Sequence, residues 1–91
     1  MKFAYSKQFL KDVKNLTPSQ VGRLKDRLAL FADRPTHPQL NNHRLKGKLK
    51  DLCSISITGD LRAIYRIISP KLENCEGTIR FIRIGTHSQL Y

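Results

Sequence analysis

Gly59-Asp60-Leu61-Arg62-Ala63-Ile64-Tyr65-Arg66-Ile67-Ile68 is the stretch on which the fold turns. From Leu61 to Ile68 it is rich in β-branched and aromatic residues, shorter than an ordinary helix, and opened by a Gly-Asp turn. Alternation puts Leu61, Ala63, Tyr65 and Ile67 on one face and Arg62, Ile64, Arg66 and Ile68 on the other. Apolar groups on both faces predict a central strand. On either side the same period of two continues. Leu49 to Ile57 reads as a strand with Cys53, Ile55 and Ile57 inward and Ser54 and Ser56 outward. Thr78 to Ile84 reads as the last strand, ended by Gly85 and followed by a short polar tail, Thr86 to Tyr91. Ser69 to Gly77, with Pro70 and Asn74, is a loop. His43 to Lys46 reads as a short strand broken by Gly47.

Upstream of His43 the period is helical. Phe3 and Tyr5 share one side of a short first strand. Ser6 then caps a helix with Phe9, Leu10, Val13 and Leu16 on its apolar face. Thr17-Pro18-Ser19-Gln20 is a helix start: Thr17 as N-cap, Pro18 in the first turn, Gln20 completing a capping box. Val21, Leu24, Leu28 and Phe31 form the second stripe, and Asp33-Arg34-Pro35 ends it. Thr36 to Asn42, including His37, is a loop. The order is β-αα-ββββ, or βααβββ if the piece at His43 does not pair. Helices followed by strands predict a small α+β fold, a helix hairpin packed on one face of a twisted antiparallel sheet.

The 91 residues allow one domain, 1–91, with one modest core. That excludes a nucleotide-binding domain joined to a substrate domain. No apolar run approaches the roughly 20 residues of a membrane span, and no signal-peptide pattern opens the chain. Seventeen Lys and Arg against seven Asp and Glu give a formal charge of +10. Such a surplus points to a polyanionic partner, nucleic acid first, an acidic protein next. Lys7, Lys11 and Lys14 share one face of the first helix, free to meet such a partner. Cys53 and Cys75 form no metal-ligand spacing and fit reduced thiols in a cytoplasmic compartment. A helix-turn-helix reader of DNA is disfavoured: beyond Gln20 the second helix offers no amide side chain to read bases.

The strand residues carry the chemistry. Arg62 and Arg66, Arg80 and Arg83, His87, and the opening stretch His43, Lys46, Lys48 and Lys50 would form a basic cleft with two imidazoles if their edges converge. Arginine holds phosphate through a planar fork, and histidine exchanges protons near neutral pH. Asp51 and Asp60 are the only acids nearby and form no metal-binding pair, so two-metal hydrolysis is disfavoured. RNA cleavage without a metal needs less. The substrate's 2′-OH is the nucleophile, and the protein orients it, moves two protons and stabilises phosphate charge.

Three pieces together resemble the RelE/ParE superfamily: Leu45-Lys46-Gly47-Lys48-Leu49-Lys50, the strand Gly59 to Ile67, and the ending Ile84-Gly85-Thr86-His87-Ser88-Gln89-Leu90-Tyr91. The ending is most similar to the YafQ-like branch. The resemblance implies a microbial-RNase-type fold and a type II toxin. It further implies a ribosome-dependent, metal-independent mRNA endonuclease without a cofactor, meeting mRNA and rRNA and neutralised by an acidic antitoxin. By position it assigns His87 and His43 to proton transfer, Arg62 and Arg83 to phosphate charge, and Tyr91 to base positioning. Asp60 matches the aspartate before the central strand. Lys46, Lys48, Lys50 and Arg66 are expected on the RNA backbone. Where the branch carries an acid and a histidine before the turn, this chain has Ser54 and Ser56, which leaves the acid/base work to His43 and His87. The gyrase-poisoning ParE branch, and a basic binding module without catalysis, are the alternatives; the former normally lacks the tail histidine and terminal aromatic.

Overall fold

Two hydroxyls start the helices. Ser6 Oγ accepts from Phe9 N at 3.0 Å and donates to Ile82 O at 2.7 Å, so one side chain both caps a helix and ties it to the last strand. Thr17 and Gln20 exchange the two bonds of a capping box at 3.1 and 2.9 Å, with Pro18 in the first turn. The computed structural model describes residues 1–70, 72–73 and 77–91. Its elements are β1 (Lys2–Tyr5), α1 (Lys7–Lys14), α2 (Pro18–Asp33), β2 (His43–Arg44), β3 (Cys53–Ser56), β4 (Leu61–Ser69), β5 (Thr78–Thr86) and α3 (His87–Leu90). Short 3-10 turns at Pro38–Leu40 and Gly47–Leu49 flank β2. None of the helices is long and apolar enough to cross a membrane.

The sheet order is β1-β5-β4-β3-β2. Four strands are antiparallel neighbours, as expected, but β1 runs parallel to β5, so the sheet is mixed. The helix hairpin carries the chain from one edge to the other, leaving β1 beside the last strand. The ladder of β4 on β5 slips twice: Ile64 faces Arg83 and Tyr65 faces Phe81, so Ile82 is an extra residue on β5, and Ile67 faces Ile79 while Ser69 faces Thr78, so Ile68 is an extra residue on β4.

Phe81 is fully buried at the middle of an aromatic cluster. Its ring lies 5.4 Å from Phe3, 5.6 Å from Phe9, 5.9 Å from Tyr65, and 6.0 Å from both Tyr5 and Phe31. Leu24, Leu40, Ile55, Ile57, Leu61, Ala63, Ile79 and Ile84 complete the core.

Five expectations change. The polar tail after Gly85 is β-strand to Thr86 and then a helical turn. The strand expected from Leu49 begins at Cys53, because Gly47–Leu49 turns first. Leu10 is exposed at 51%, and Ile67 at 48%, where it lines an open cavity with Phe31 and Pro35. Ser54 is buried rather than outward, its Oγ without a hydrogen-bond partner among the described residues, while Ser56 is half-buried. Of the Ser69–Gly77 loop, residues 71 and 74–76, Cys75 among them, lie outside the described residues.

Phe81→Ala is expected to cost about 3–5 kcal/mol, and Phe81→Leu less than half of that, measured by urea unfolding.

Candidate active site

Two arms reach the same side of the sheet. The first follows α2. Asn42 Nδ2 donates to Pro35 O at 2.9 Å, and Asn42 Oδ1 accepts from Tyr65 OH at 2.6 Å. Burial raises the Tyr65 hydroxyl's pKa, with the neighbouring Cys53 thiol adding to it, so the hydroxyl remains a donor. This pins the loop to the central strand. Asn41, just before, is the only non-glycine with positive φ among the described residues, at 45°; asparagine tolerates this left-handed geometry better than most. The turn aims its carbonyl at His43, whose Nδ1 lies 2.7 Å from Asn41 O. A carbonyl oxygen only accepts, so Nδ1 carries the hydrogen. In the neutral ring, Nε2 is therefore the free base.

The second arm is α3. Gln89 Oε1 accepts from Thr86 N at 2.8 Å and fixes the turn out of β5. One turn apart, the rings of His87 and Tyr91 lie 4.5 Å centroid to centroid. Gly85 lies under this turn: a Cβ there would stand 2.8 Å from Gln89 Oε1, the capping oxygen at the end of its side chain.

Between the arms lies a cavity of about 420 Å³ lined by His43, Lys46, Arg62, His87 and Tyr91. Asn41 closes one side, and Leu45 and Leu49 give it apolar wall. Arg62 is oriented by Ser56, whose Oγ accepts from Nη1 at 2.8 Å. Among the described residues no Asp or Glu side chain lines the cavity. It therefore offers two imidazoles, a guanidinium, an ammonium and an aromatic ring: groups to exchange protons, hold an anion and stack on a base.

The other expected residues are elsewhere. Arg83 is bound to Asp12 of α1, Nε to Oδ2 at 2.8 Å, and lines a separate cavity. Asp12 Oδ2 also accepts from Ile84 N at 3.1 Å, so this pair closes the free edge of β5 beyond the β1 ladder. Asp60 is exposed in the β3–β4 turn; its backbone N–H bonds Thr58 Oγ1 at 3.3 Å, and its carboxylate touches neither the cavity nor a cation among the described residues. Arg66 borders a different cavity with Asp51 and Cys53. Lys48 and Lys50 are exposed around the Gly47–Leu49 turn and do not line the cavity.

A family model described as "Bacterial toxin of type II toxin-antitoxin system, YafQ" matches residues 1–91. The chain belongs to the YafQ family of type II toxins. Among solved structures it is similar to YafQ from E. coli, with a TM-score of 0.76 at 26% identity over 99% of this chain and 97% of that one. It is also similar to the E. coli DinJ–YafQ toxin–antitoxin complex, with a TM-score of 0.73 at 29% identity over 99% and 96% of the two chains. A metal-bound toxin from Helicobacter pylori gives 0.67 at 31% identity over 100% and 99%. No curated protein sequence matches the chain. The YafQ membership accounts for the architecture, three helices with a five-stranded mixed sheet.

Sequence patterning missed Asn41, Asn42 and Gly85 as parts of this YafQ-family site. Asn41-Asn42 after a proline-containing loop is a recognisable turn signal, and Gly85 was readable only as a strand end. What each does depends on a neighbour far along the chain.

Gly85→Ala is expected to swing Gln89 Oε1 away from Thr86 N and so loosen the turn into α3. Any His87-dependent activity should fall about tenfold or more while the unfolding midpoint moves little, as paired activity and thermal-melt measurements will show. A second expectation concerns acid. Burial alone would raise the Asp12 pKa, but bonds from Arg83, Gln8 and Ile84 N, with the charge of Arg83, outweigh it and hold the carboxyl below its usual value. A lowered folded pKa stabilises above the unfolded value of about 3.9 and is lost as pH falls through the folded one. Melting temperature should fall more steeply below about pH 4 in the wild type than in Asp12→Asn.

Proposed function

We propose that this toxin is an mRNA interferase, cutting ribosome-bound mRNA by attack of a 2′-OH on the adjacent phosphate. The observation that carries the reading is the convergence of His43, Arg62, His87, Tyr91 and Lys46 on one cavity that no Asp or Glu side chain among the described residues lines. His43 Nε2, left unprotonated by the Nδ1 bond to Asn41, accepts the 2′-OH proton. The O2′–P bond forms and the P–O5′ bond breaks. His87, entering protonated, gives its proton to the leaving O5′. The products are a 2′,3′-cyclic phosphate and a 5′-OH, and the two histidines return to their starting states by proton exchange with water. Arg62, held by Ser56, faces the charge that grows on the phosphate. Tyr91 stacks on a base, and Lys46 meets the backbone. No metal is required, because the substrate carries its own nucleophile.

The acid/base pair is sparse: neither imidazole has a carboxylate partner among the described residues. This favours dependence on the ribosome, whose RNA would complete the alignment. The DinJ–YafQ complex supports an antitoxin partner for this chain too. At a formal charge of +10, we take that partner to be acidic and the site of action cytoplasmic.

Primer extension on a defined mRNA in a reconstituted translation system tests the reading. Cuts should appear with ribosomes and be absent without them. His87→Ala and His43→Ala should each lower the rate about 10²–10⁴-fold. Tyr91→Phe should retain most activity and Tyr91→Ala should not. Wild-type rates in His87→Ala would refute the site. Absence of cuts in the wild type, with inhibited DNA supercoiling, would move the chain to gyrase poisoning.

A further inference from the structure

A second cavity, of about 380 Å³, lies between α2 and the turn joining β3 to β4. Arg23, Arg27 and Arg62 all line it, and no carboxylate among the described residues does. Arg27 is held in place: Nε donates to Ile57 O at 3.3 Å and Nη1 to Gln39 Oε1 at 2.9 Å. Its Nη2, and the Nε and Nη2 of Arg62, have no hydrogen-bond partner among the described residues. Arg23 has no hydrogen bond or ion pair there at all. Three guanidinium groups in one concavity repel each other, and Arg27 is nevertheless fixed there by two neutral acceptors. An anion with several oxygens would satisfy the unused forks.

The two cavities are adjacent. Arg62 and Asn41 line both. We infer that the second cavity is a phosphate subsite, binding through Arg23 and Arg27 a phosphodiester of the same single-stranded RNA next to the one held at Arg62. This rests on the reading of the first cavity as the site of RNA cleavage. Continuity through Arg62 selects the ligand: a strand with one phosphate at this guanidinium runs into the second cavity with its next. Arg23 and Arg27 then fix the direction of the strand and hence which bond meets His43 and His87.

Arg23 is the residue to change, because it makes no bond on which the fold depends. The probe is a short, uniformly 2′-O-methylated, single-stranded RNA, which cannot be cut. Its matching dinucleotide carries only the scissile phosphate. Fluorescence anisotropy is read at several salt concentrations. Arg23→Ala should weaken the longer RNA about three- to tenfold and reduce the salt slope by about 0.7, leaving the dinucleotide unchanged. Lys25→Ala removes the same charge from an exposed position on α2 that does not line the cavity, and should bind as the wild type. Arg27→Lys should weaken the longer RNA even though the charge is kept, since the fork is lost. Equal affinity and slope in Arg23→Ala and wild type would overturn the subsite, as would a wild type that does not bind the RNA. An effect of Arg23→Ala on poly-glutamate binding but not on RNA would overturn it in favour of an acidic protein chain. Binding and cutting are scored separately. A wild type that binds through Arg23 but cuts no mRNA removes the cleavage reading and leaves the subsite standing. Cutting with no Arg23 dependence does the reverse.

Discussion

The packing of five aromatic rings around Phe81 is the constraint on which the structure depends. The rings come from β1, α1, α2 and β4, so one buried side chain on β5 joins both helices to the sheet. Its burial is also what seats β1 beside β5, since Phe3 and Tyr5 must face Phe81 for their apolar faces to leave water. In a chain of 91 residues the core is small, and a shared centre of this kind carries a large part of its cohesion.

From that centre the order reaches the cavity by two routes. Tyr65 touches Phe81 with its ring and holds Asn42 with its hydroxyl, so the core fixes the loop that presents His43. Phe81 lies on the same strand that continues through Gly85 into α3, so the core also fixes the start of the turn that presents His87 and Tyr91. The side chains facing the cavity are exposed or half-buried. Their placement is imposed by buried backbone and by three short polar links, at Asn41, Asn42 and Gln89. A rigid interior with a wet, open site above it suits a polyanionic strand that must enter, align and leave.

Electrostatics divides the arginines into two groups. Arg83 is neutralised by Asp12 and serves the join between α1 and β5. Arg23, Arg27 and Arg62 have no acidic partner among the described residues and line adjacent cavities. Residues of the same type thus differ in role according to whether a carboxylate is within reach. The half-buried Arg83–Asp12 pair stiffens an edge, and the unpaired cations define the surface offered to an anion.

Sequence by itself determined the helix starts, the helical stripes ending in Phe31, the central strand at Leu61 and the α+β class. Each follows from contacts within a turn or from alternation over a few residues. It also brought forward His43, Arg62, His87 and Tyr91, through the resemblance of the Leu45–Lys50 stretch, the central strand and the last eight residues. Only the tertiary structure decided that β1 pairs parallel to β5, that Ser54 is buried while Ser56 orients Arg62, and that the tail is helical. It also decided that Arg83 answers to Asp12, 71 residues away, rather than to the cavity. The physical reason is the same in each case. Strand direction, burial of a small polar side chain and the pairing of a charge are set by partners remote in sequence, and local periodicity carries no information about which partner arrives.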